Sequence, residues 1–154
     1  MRVIKLYESF NEFESLKKSI DDTLVELVDI GLEWSIVGSD AGSAGQPKNV
    51  IGVEIYKEPA EVEDNDDFDF GYTEREATNL FDFEDIYEPV MTLLSFMRDK
   101  YPDMTIEPFM TVNNLPETDD WFEEFLEEND LESLTLDQVK QFTNISSFDI
   151  EFTI

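Results

Sequence analysis

Eight carboxylates lie within the fourteen residues from Glu117 to Asp130, and no Lys or Arg interrupts them. Groups of this type and density bind cations, either the guanidinium and ammonium groups of a basic partner or a divalent metal. Helical periodicity divides the segment into two faces. Trp121, Phe122, Phe125 and Leu126 gather on one side, and Glu117, Asp120, Glu123, Glu124, Glu127 and Glu128 on the other. Over about 21 Å of helix this gives one negative charge per roughly 2.6 Å, against about one per 1.7 Å in duplex DNA. Carboxylates held this way suit the positions at which a partner's Arg and Lys normally grip phosphates. Like charges four residues apart each cost a helix a few tenths of a kcal/mol, and only acids near the helix N-terminus recover some of it through the dipole. A merely solvated acidic face is the competing reading.

A second acidic run, Glu61 to Tyr72, interleaves acids with aromatics. A calcium loop beginning at Asp66 would place Gly71 correctly at its sixth position. Phe68 and Phe70 would then occupy ligand positions, and Ala77 would replace the closing Glu, so the EF-hand template fails. No metal site is therefore assigned, although a nonstandard cation site is a further option. Phe68 and Phe70 read better as interface anchors, with Asp64, Asp66, Asp67 and Asp69 steering encounter.

The chain has no His and no Cys, which removes histidine-dependent nucleophile systems, imidazole and thiolate metal sites, and disulfides. The loop Gly38 to Pro47 is glycine-rich but lacks the Gly-Lys-Ser/Thr ending of a P-loop. Thirty-eight acids supply so many carboxylate pairs that none singles out a glycosidase. No catalytic residue and no cofactor are expected.

The formal charge is −28 over 154 residues. Of this, −12 falls between Glu58 and Glu88 and −10 between Glu117 and Asp137, leaving −6 for the remainder. Such a field attracts basic partners and repels nucleic acid and anionic membranes. Salt adaptation would also lower the pI, but the clustering and a core rich in Phe, Ile and Leu argue against it. No stretch approaches the roughly 18 apolar residues of a membrane span. Met1 to Tyr7 lacks the apolar region of a signal peptide, so a cytoplasmic location is expected.

Length and thirteen Phe predict one folded domain, residues 1–154, containing an acidic loop at 59–72. Val3 to Tyr7 reads as a first strand, and Ser9-Phe10-Asn11-Glu12 as the capping box of a helix closed by Gly31. Leu32 to Ile36 and Val50 to Lys57 alternate as paired strands. Phe83 to Tyr101 carries a helical stripe interrupted by Pro89, which predicts either a separate first turn or a bend. Met104 to Val112 reads as a strand whose Pro108 marks an edge or a bulge. Thr118 and the capping box from Thr135 open two short helices, and Phe148 to Ile154 is a last strand. The expected fold is α+β, with two main helices on one face of a mainly antiparallel sheet, a helical C-terminal extension and a last strand. With the first strand counted, the order matches the βαββαβ of ferredoxin-like domains.

The leader Lys5 to Phe13, the helix end Asp29-Ile30-Gly31-Leu32-Glu33-Trp34 and the paired strands beyond it resemble small acidic accessory proteins of tailed bacteriophages. The likeness covers roughly the first hundred residues and transfers no functional residue. Acidic members of that group include inhibitors that imitate DNA to block defence nucleases. Charge and resemblance together imply a non-enzymatic interaction protein docking on a basic, nucleic-acid-binding surface of a partner protein. The alternative is a virion structural or assembly protein whose acidity serves solubility.

Overall fold

The computed structural model describes residues 2–39, 50–57, 80–112 and 119–154, with side chains from Glu12 onward in the first segment. Helix α1 (Arg2–Leu24) runs into a 3₁₀ helix (Val25–Ile30), followed by strands β1 (Glu33–Ser39) and β2 (Val50–Tyr56). Helix α2 (Phe83–Lys100), strand β3 (Thr105–Val112), helix α3 (Asp119–Glu128), a 3₁₀ turn (Leu131–Ser133), helix α4 (Leu136–Val139) and strand β4 (Ile145–Thr153) complete the described elements. The four strands form one antiparallel sheet in the order β1-β2-β4-β3. The fold is α+β.

The N-terminus corrects the first-strand expectation. Val3, Leu6, Tyr7, Phe10 and Phe13 extend the spacing of Leu16, Ile20 and Leu24, so a single helical stripe begins at the first turn. No Gly or Pro interrupts residues 2–30. Ser9 consequently lies inside α1, where backbone amides already have helical acceptors and nothing is left to cap. Without a first strand the ferredoxin-like order is not met. At the other end Gly31 closes the 3₁₀ helix as expected, at φ 77°, a left-handed conformation that glycine adopts without steric cost.

Sheet alternation sets the core. Ile55 faces Phe148 across the β2–β4 pair, Val53 faces Ile150 and Ile51 faces Phe152, and all six side chains are buried. Leu16, Ile20 and Leu24 of α1 and Phe83, Ile86, Val90, Leu93, Leu94 and Met97 of α2 cover this face in one continuous cluster. Helix α2 continues through the buried Pro89. The missing N–H falls in the second turn and leaves only the Asp85 carbonyl without its helical donor. Pro108 sits on β3, an edge strand, and a register shift follows at Thr111/Val112. The edge reading of that proline holds, whereas the irregularity lies three residues further on.

Two local devices fix the frame. Asn144, at φ 58°, gives its N–H to Asp82 Oδ1 at 3.2 Å, while Phe81 and Ile145 exchange backbone hydrogen bonds, joining the start of α2 to β4. Arg98 forks onto Glu132 at 2.8 and 2.9 Å and donates to the carbonyls of Pro102 and Met104, locking the end of α2 to the turn after α3. The hydrogen bond to Glu132 raises the Arg98 pKa.

At the β1 edge, a Cβ added to Gly38 would collide with the ring of Phe13. Gly38→Ala is expected to destabilise the fold by about 1–3 kcal/mol, because the ring must leave its place on α1. A urea melt checks this. An unchanged midpoint would show that Phe13 moves freely.

Candidate acidic docking site

Helix α3 presents its acids because its other side is nailed to the core. Phe122 is buried, with ring centroids 5.1 Å from Phe142, 5.9 Å from Phe148 and 6.1 Å from Phe83. Phe125 lies 5.0 Å from Phe142, and Leu126 packs partly buried against the same cluster. Trp121 is 42 % exposed but leans on Phe142 at 4.7 Å. Of the apolar face read from periodicity, Phe122 is buried and Phe125 and Leu126 are half-buried, while Trp121 at its margin stays exposed. The C-terminus is tied down as well: Asn129 donates to the Phe125 carbonyl, and Gln138 of α4 donates to Asn129 Oδ1. The capping box of Thr135 and Gln138 holds α4 in place beneath it.

Asp120, Glu123, Glu124, Glu127 and Glu128 are all exposed. Among the described residues none of the five makes a hydrogen bond or ion pair. Other acids of the same block are spent on structure. Asp130 accepts from the Glu132 N–H and the Ser133 hydroxyl, Glu132 holds Arg98, and Asp137 lies 3.6 Å from Lys140. The structure thus separates five presenting carboxylates from Asp130 and Glu132, which hold the turn after α3, a division that a count of charge along the chain cannot make. Glu117 lies outside the described residues, as do Thr118 and the whole second segment with Asp64, Asp66, Asp67, Phe68, Asp69 and Phe70.

A further acidic patch comes from residues far apart in sequence. Opposite the core face, no helix among the described residues lies over the sheet, and none of its four strands contains Lys or Arg. Glu54 stands directly across from Asp149, and Glu107 directly across from Glu151. Like charges so placed destabilise a sheet. Ser35 donates to Glu54 and Ser147 to Asp149, which offsets part of that repulsion. Period-2 alternation in β4, with Asp149 and Glu151 between Phe148, Ile150 and Phe152, was the signal available for this patch.

Between α3 and β3 runs a groove of about 370 Å³ with Pro108, Phe109, Phe122 and Leu126 among its walls and Glu107, Glu123 and Glu127 as its acids. Phe109, 45 % exposed, also borders a shallow depression over Gly52 on the sheet face opposite the core. The α3 face and the sheet patch therefore meet at one aromatic residue.

Among the described residues no cluster of acids has the arrangement of a metal site, and no helix is long and apolar enough to cross a membrane. No protein-family model, curated protein or solved structure matches the chain.

Proposed function

We propose that this is a non-catalytic interaction protein that docks its acidic α3 face on a basic, nucleic-acid-binding surface of a partner protein, as a DNA-mimicking inhibitor does. A phage anti-defence role is the specific form this reading takes. The observation that carries it is the set of five exposed, unpaired carboxylates on a helix whose opposite face is fixed in an aromatic core. Rigid presentation matters because a partner evolved for phosphates meets its acceptors already in place, without the ordering cost of a disordered acidic tail. Repulsion among these acids is a standing cost to the fold, which suits a surface kept for binding.

Capture from a lysate, with elution by stepped salt and by duplex DNA, tests this reading. The expected result is a nucleic-acid-binding protein released at moderate salt and displaced by DNA, since a basic surface occupied by α3 is closed to phosphates. Only self-association, or partners that resist both high salt and DNA, would overturn the mimic and favour an assembly protein.

A further inference from the structure

We infer that the groove between α3 and β3 receives an apolar anchor side chain of the partner, flanked by Arg or Lys. The inference rests on the proposed basic-partner reading and adds what the partner segment must look like. Three features specify the occupant. Pro108, Phe109, Phe122 and Leu126 give the groove apolar walls, so its centre favours a hydrocarbon side chain. The charged residues that line it, Glu107, Glu123 and Glu127, are all acidic, so the flanks of the occupant are cationic and an anionic ligand is repelled. On β3, Pro108 lacks the N–H an added strand would need, so the occupant docks through side chains instead of extending the sheet.

The same charge argument rejects two other occupants. The chain's own segment from Glu61 to Tyr72 carries acids and no base, so it meets Glu107, Glu123 and Glu127 with like charge. A second copy, at −28, brings the same sign to the same rim. An apolar anchor ringed by ion pairs is the usual anatomy of a small, specific interface.

The test uses two short dye-labelled peptides, each with runs of Arg and Lys around one central residue, leucine in the first and serine in the second. Fluorescence anisotropy at low salt is expected to show the leucine peptide binding about tenfold more tightly, the gain from burying one apolar side chain. Phe109→Ala, at a half-exposed position outside the buried core, should reduce that preference by weakening the leucine peptide more than the serine peptide. Glu107→Gln together with Glu123→Gln should weaken both peptides. Equal affinities for the two peptides on the unaltered protein would overturn the groove while leaving the acidic-face reading standing. Binding of neither peptide would overturn both.

Discussion

Phe122→Ala is expected to destabilise the protein by about 3–5 kcal/mol, the cost of a large buried aromatic lost with incomplete collapse around it. Against the roughly 5–15 kcal/mol that holds a typical domain together, this is a major fraction. The site is severe because Phe122 contacts four rings at once, from α2, β4, the segment after α4 and its own helix. Among the described side chains of α3 it is also the only buried one, since Phe125 and Leu126 are half-buried and Trp121 is exposed. Ten residues are too few for a helix to persist alone in water, where about 12–15 are marginal even for favourable sequences. Unanchored α3 also carries its repelling acids with no base among them. Loss of Phe122 should therefore release the helix as well as soften the core. Urea denaturation reads the stability, and far-UV circular dichroism at zero denaturant reads the helix. A loss below about 1 kcal/mol would mean that α3 is held by something other than this ring cluster.

How much of this was legible in the chain follows from which residues carry local information. The apolar side of α3, the capping box at Thr135, the Gly31 stop and the edge position of Pro108 were all readable, because each is decided by neighbours within a few residues. The first-strand reading fails because Val3 and Tyr7 satisfy both periods: Val3, Lys5 and Tyr7 alternate, while Val3, Leu6, Tyr7 and Phe10 keep helical spacing. Only the continuation through Phe13 to Leu24 decides for helix, and a serine with a glutamate three places on resembled a start signal within it. Other features were hidden for the opposite reason. That β4, last in the chain, lies at the centre of the sheet depends on pairing with β2 and β3 at once. The facing of Glu54 with Asp149 likewise depends on register, which no single strand reveals. The acidic block itself was visible, but not its division of labour. Asp130 and Glu132 look identical in composition to Glu127 and Glu128, and only the turn after α3 shows that the first pair caps the backbone and holds Arg98.

That division leads to an opposed pair of effects at Glu127 and Glu128. Replacing both by lysine converts Glu123–Glu127 and Glu124–Glu128 from repelling to attracting pairs, in the favourable order of acid before base. It also places cations in the last helical turn, where the dipole welcomes them. Together these changes should stabilise the free protein by about 1–2 kcal/mol at low ionic strength, shrinking as salt screens the exposed charges. The same variant should lose about tenfold or more in affinity for the protein captured by the unaltered chain, because two presenting carboxylates become like charges against a basic surface. Each replacement adds two positive units, so the net charge moves only from −28 to −24. Glu26→Lys with Asp29→Lys makes the matched control, with the same charge change at another exposed helix end, in the 3₁₀ helix before Gly31. Stability is read by thermal melting at two salt concentrations and affinity by titration. Greater stability with lost binding in the first variant, and retained binding in the control, would locate the recognition on α3. Equal loss in both would reduce the role of α3 to its share of bulk charge, and no gain in stability would mean that its acids are not strained against one another.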